Sequence, residues 1–145
     1  TPDEFSIDMT VARHNLTYAS RWMATHAARE RIVARRRQHY TFFAQAFAGQ
    51  RGLQPLARDL PDHSAPYVFP LWVDKPDPGY AELRRLSFPV SRWDQLWPTV
   101  PTNVGDKGIE WSNHILQLAC HQDLTHAEML QMVQTINRIY ASPPA

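Results

Sequence analysis

The chain has one cysteine, two lysines and five glycines in 145 residues, and no apolar run long enough to cross a bilayer. A single cysteine excludes an internal disulfide, and with no signal peptide in view the natural expectation is a cytoplasmic protein. Structural zinc is excluded on the same count. Such a centre normally takes four ligands, and Cys120 with seven scattered histidines offers none of the usual spacings. A surplus of charge is also missing. Fifteen basic against fourteen acidic residues leave a net charge of +1, so no global field holds nucleic acid or an acidic membrane surface. The first residue is Thr1 rather than methionine, and we read the chain as one structural unit cut from something larger.

What is present reads as a folded domain. Hydrophobic residues make up 43% and charged residues 20%, and the length suits one core. The twelve prolines cluster between residues 55 and 101 and at the tail, which places short elements and turns in the middle of the chain. From Ser6 to Ala48 there is neither proline nor glycine, and Ala, Arg, Met and Leu are frequent. Tyr18, Trp22 and Met23, then Ile32, Val33, Tyr40, Phe43, Ala44 and Phe47, recur at helical spacing. One very long helix or two abutting ones are expected, ended by Gly49 and Gly52, with part of the apolar stripe facing something outside the chain.

After a polar, proline-punctuated link, the run from Tyr67 to Val73 has strand composition, with Pro70 favouring an edge or a bulge. Asp77 and Pro78 read as N-cap and first helical position of a short helix from Tyr80 to Leu86. A second strand over Phe88-Pro89-Val90, a loop over 94–106, a short helix from Lys107 to His114 and a third strand from Ile115 to Ala119 follow. Thr125 and Glu128 match a capping box, and Met129, Met132, Val133, Ile136 and Tyr140 form the buried stripe of a last helix. The expected class is α+β. A long helical region, residues 1–49, precedes an α/β small domain, residues 50–145, whose mainly antiparallel sheet of about three strands is covered by helices.

Three groupings invite chemistry. Cys120 and His121 are adjacent at a strand end, where neighbouring side chains point to opposite faces, so they do not make a nucleophile and its base. The run from Arg29 to Arg37 alternates with Ile32, Val33 and Ala34, as on an amphipathic helix whose arginines are solvated or pack their stems against the domain. Ser91, Arg92, Trp93 and Trp97 are the substrate-binding candidates. An arginine between aromatics after a strand suits an anionic or planar ligand, and core packing of the tryptophans is the alternative.

With the elements in this order, the chain resembles the C-terminal part of the DegT/DnrJ/EryC1/StrS family of pyridoxal-phosphate-dependent sugar aminotransferases. Ile32-Val33-Ala34-Arg35-Arg36-Arg37-Gln38-His39-Tyr40 is similar to that family's long helix with paired arginines before an aromatic. Tyr67-Val68-Phe69-Pro70-Leu71, with Tyr80 through Ser91, is similar to its small-domain strand, helix and next strand. Ile115 through Thr125, ILQLACHQDLT, is similar to its last strand and helix cap.

The resemblance implies a small domain that, joined to a large pyridoxal-phosphate-binding domain in a homodimeric parent, forms one wall of a cleft for a keto-sugar nucleotide. It implies no cofactor on this piece alone. The family's Schiff-base lysine belongs to the large domain, and Lys75 and Lys107 sit in turn-like contexts unlike its motif. Arg92-Trp93-Asp94-Gln95 also departs from the family pattern after the second strand. A non-catalytic interaction module, using the long helix and the tryptophan loop, is the alternative.

Overall fold

The computed structural model describes residues 10, 14–92, 103 and 105–140. Among them the N-terminal helical region is two helices, α1 (Tyr18–His26) and α2 (Arg29–Ala46). Thr17 caps α1 by accepting the Ser20 amide at 3.2 Å. The break at Ala27 and Ala28 follows from side chains that take the carbonyls a longer helix would use. Thr25 Oγ1 donates to Arg21 O (3.1 Å), His26 Nδ1 bonds Trp22 O (2.9 Å) and Arg29 Nη2 donates to Ala24 O (2.8 Å). The second helix gives way at Phe47, and Gly49 supplies the positive φ of 72° that turns the chain back.

Four antiparallel strands follow, one more than the sequence suggested: β1 (Leu53–Pro55), β2 (Val68–Val73), β3 (Val90–Arg92) and β4 (Ile115–Ala119), in spatial order β1-β2-β4-β3. The additional strand is three residues long and lies inside the segment read as a link, too short to show a period of two. Pro70 is not on an edge strand, because β2 pairs on both sides. Its carbonyl accepts the Leu56 amide at 3.1 Å, and a strand residue's nitrogen points to the same side as its carbonyl. The missing N–H therefore faces the place where β1 has just ended. The second strand also runs two residues later than expected, so Ser91 and Arg92 belong to it.

The remaining helices are α3 (Gly79–Arg85), α4 (Lys107–His114) and α5 (His126–Tyr140). Cross-strand pairing places Leu53, Phe69, Leu71, Val73, Val90, Leu116 and Leu118 on one face of the sheet. That face packs on Tyr40, Phe43 and Phe47 of the α2 end, Leu83 of α3, and Met129, Met132, Val133 and Ile136 of α5. A buried aliphatic or aromatic side chain of this kind stabilises by roughly 1.5–3 kcal/mol. The cap of α5 is the reciprocal box. Thr125 N donates to Glu128 Oε2 (2.7 Å) and Glu128 N donates to Thr125 Oγ1 (3.2 Å).

Against the other face packs α4, with His114 stacked on Trp72 at 4.4 Å between ring centroids. Leu16, just before α1, and Tyr18, Trp22 and Met23 of α1 are all exposed.

Candidate functional site

The junction after β4 is architectural. Cys120 is fully buried, and burial pushes its thiol up to about 12, Arg36 offsetting only part of the effect. His121 next to it is exposed and stands 3.5 Å from Asp123 Oδ2. No shared hydrogen bond joins the pair. Instead the His121 carbonyl accepts from Nδ1 of buried His39, at 3.0 Å, which locks α2 to the junction. Burial lowers the pKa of His39 more than this hydrogen bond raises it, so the ring is neutral with its proton on Nδ1.

Part of the Arg-rich run makes similar ties. Arg36 Nε donates to Gln122 Oε1 (2.9 Å) with its guanidinium over the Tyr67 ring, and Arg37 Nη1 donates to Pro61 O and Ser64 O.

The four substrate-binding candidates do not share one surface. Ser91 and Arg92 are successive residues of β3 and point to opposite faces of the sheet. Trp93 and Trp97 lie outside the described residues, as does most of the 94–106 loop. Arg92 has found its carboxylate within the chain. Nη1 donates to Asp77 Oδ2 at 2.8 Å, Nη2 donates to Asn113 O at 2.7 Å, and the guanidinium lies over the Tyr80 ring at 5.6 Å. The Asp77 carboxylate is thus not the cap of α3, which starts from Pro78 with no side-chain cap. One cluster joins the end of β3, the start of α3 and the last turn of α4. The end of α5 joins it too, for Tyr140 Oη donates to Pro76 O at 3.0 Å, and burial first and Asp77 second hold that phenol's pKa above its usual value.

Ser91 lies across from Gln117, which lies across from Pro70, on the face that α4 leaves partly open. A cavity of about 350 Å³ opens there between β3, β4, the start of β2 and the end of α3. Gln117 on its floor is 8% exposed, and its Nε2 has no partner among the described residues. Ser91 Oγ is 3.5 Å from Gln117 Oε1, the outer limit of a hydrogen bond. Sequence reasoning passed over Gln117. The one polar residue within the buried strand ILQLA was the available signal, since a buried amide needs a partner.

Neither lysine fits a Schiff-base role. Lys75 is exposed in the turn after β2, and Lys107 is exposed at the start of α4 with its ammonium 2.7 Å from Glu110. A pyridoxal site needs a dry pocket and a phosphate cradle around its lysine, and among the described residues neither position has them. Among the described residues no group of three or more His, Cys, Asp or Glu is placed to hold a metal ion.

No protein-family model matches the sequence, and no curated protein matches it. Solved structures do match the fold. The structure of S. venezuelae DesV, in complex with a ketimine intermediate, superposes at a TM-score of 0.71 and 15% identity over 87% of this chain. The sugar aminotransferase CalS13 from Micromonospora echinospora superposes at 0.55 and 20% identity over 75% of it. AtS13 from Actinomadura melliaura does so at 0.59 and 14% identity over 93%. The fold is shared with these three chains, one of them a sugar aminotransferase. Those three chains are covered over only 36%, 31% and 40% of their length, so what is shared is the fold of a part of them. This agrees with the small-domain resemblance read from the sequence. The described residues contain no helix long and apolar enough to cross a membrane.

Proposed function

We propose that the chain is the C-terminal small domain of a DegT-like, pyridoxal-phosphate-dependent aminotransferase that acts on a keto-sugar nucleotide. The observation that carries this reading is the extent of the likeness: most of this chain follows about a third of each of the three structures, one of them a sugar aminotransferase. The cofactor and its lysine belong to a large domain of the same parent chain, and the isolated piece is inactive. The exposed Leu16, Tyr18, Trp22 and Met23 are the surface on which that domain, or the second protomer of a homodimer, packs.

In this reading the segment from Ser91 through Arg92, Trp93 and Trp97 is the small domain's wall of the substrate cleft. Arg92 takes part as the anchor of the wall, because its guanidinium is tied to Asp77 and Asn113 at the point where β3 ends. Steady-state kinetics of the parent test this. Trp93→Ala and Trp97→Ala should raise KM for the sugar nucleotide with the unfolding midpoint unchanged, and Asp77→Asn should reproduce the kinetic effect of Arg92→Ala. A direct charge-assisted contact from Arg92 to substrate would instead make Arg92→Ala alone cost about tenfold to a hundredfold in affinity. Unchanged kinetics in all four variants would contradict the wall.

A further inference from the structure

The cavity on the open face of the sheet has the chemistry of a small binding site. Its volume of about 350 Å³ is at the lower end of ligand-binding clefts. Val68, Phe88, Pro89 and Ala119 make apolar walls, and the ring of Tyr67, 74% exposed, stands at the rim with Arg36 over it. Polar groups converge from three elements: Arg84 from α3, Ser91 from β3 and Gln117 from β4, with His121 beside them. No aspartate or glutamate lines the cavity, and the nearest carboxylate to His121 is Asp123.

These groups are donors with capacity to spare. Among the described residues Arg84 makes no ion pair, the Ser91 hydroxyl is held only by a 3.5 Å contact, and the Gln117 amide nitrogen is unpartnered. A buried amide without a partner is unfavourable, and rotation of the Gln117 side chain toward the cavity would relieve it if an acceptor stood there. Positive charge at one wall, neutral donors on the floor and aromatic or apolar sides together match an acceptor-rich anion carrying a flat apolar body.

We propose that this cavity binds a small aromatic carboxylate, its carboxylate held by Arg84 and Ser91 over Gln117 and its ring between Tyr67 and the Phe88-Pro89 wall. The cavity lies on the face of the sheet opposite the Arg92 cluster.

The test is a titration of the 145-residue chain with benzoate, followed by amide chemical shifts, beside benzamide and inorganic phosphate. Benzoate should give saturable shifts centred on residues 84–91, 117 and 121, and benzamide and phosphate should bind at least about tenfold more weakly, for want of the charge or of the ring. Arg84→Met should weaken benzoate by a similar factor while the spectrum stays dispersed. Gln117→Leu, which makes the floor apolar, should weaken it as well. Shifts that do not saturate, benzamide or phosphate binding as well as benzoate, or full binding by Arg84→Met would each overturn the proposal.

Discussion

Arg92 Nη1 and Asp77 Oδ2 stand 2.8 Å apart, and the bond ties the last residue of β3 to the turn that starts α3. The arginine side chain is 11% exposed and the aspartate 64%, so the ion pair itself is half in water and modest. The bond from Nη2 to Asn113 O and the packing over Tyr80 add to it. Arg92→Ala should therefore destabilise the chain by about 2 kcal/mol, with Asp77→Ala giving less than half of that. Chemical unfolding of the two single variants and the double variant measures both; additive effects would show that the pair is not coupled.

The last helix should depend on its cap. Thr125→Ala removes the hydroxyl that accepts the Glu128 amide and should lower stability by roughly 1 kcal/mol. Glu128 carries a second signature: the Thr125 amide, and then its hydroxyl, lower the carboxylate's pKa from 4.5. Carboxyl NMR titration should find Glu128 ionised at lower pH than a free glutamate, and shifted back upward in Thr125→Ala. Identical titration curves would mean that the cap does not form.

Cys120 should be inert. A thiol pushed up to about 12 and shut away from solvent offers almost no thiolate at pH 8, so a disulfide reagent should label the native chain only through unfolding. Labelling in urea should be fast. Rapid labelling of the native chain would contradict the burial.

His39 predicts a pH dependence with a definite sign. Its folded pKa lies below the unfolded value of 6.5, so between the two the unfolded chain binds more protons. The stability that neutral His39 supports is whole above 6.5 and is lost as pH falls from 6.5 through the folded value. His39→Gln keeps a donor for the His121 carbonyl and does not titrate. Its unfolding midpoint should fall less between pH 7 and 5 than that of the wild type, and parallel curves would refute the assignment.

How much of this was legible in the sequence follows from what each residue's role depends on. Lys107–His114, Ile115–Ala119 and the Thr125 box were readable to the residue, because caps and short apolar runs act within a few positions. The strand over Leu53–Pro55 was not, since three residues become a strand only by pairing with Val73, Trp72 and Leu71 of β2. Asp77 before Pro78 had the pattern of a cap, and lost that role to an arginine fifteen positions away that no local rule reveals. The candidate site divided along the same line. Ser91 and Arg92 fall inside β3 rather than in the loop after it, and the alternation of side chains along a strand sends them to opposite faces. Gln117 matters only through the cavity above it, which four separate segments build.

The central claim is that this fold works as part of a larger aminotransferase. The most direct measurement is the intact mass of the native protein together with its absorbance in the pyridoxal band, before and after glutamate is added. The account predicts a chain well above 16.8 kDa with a pyridoxal band that glutamate shifts. A native chain of 16.8 kDa with no such band would contradict it.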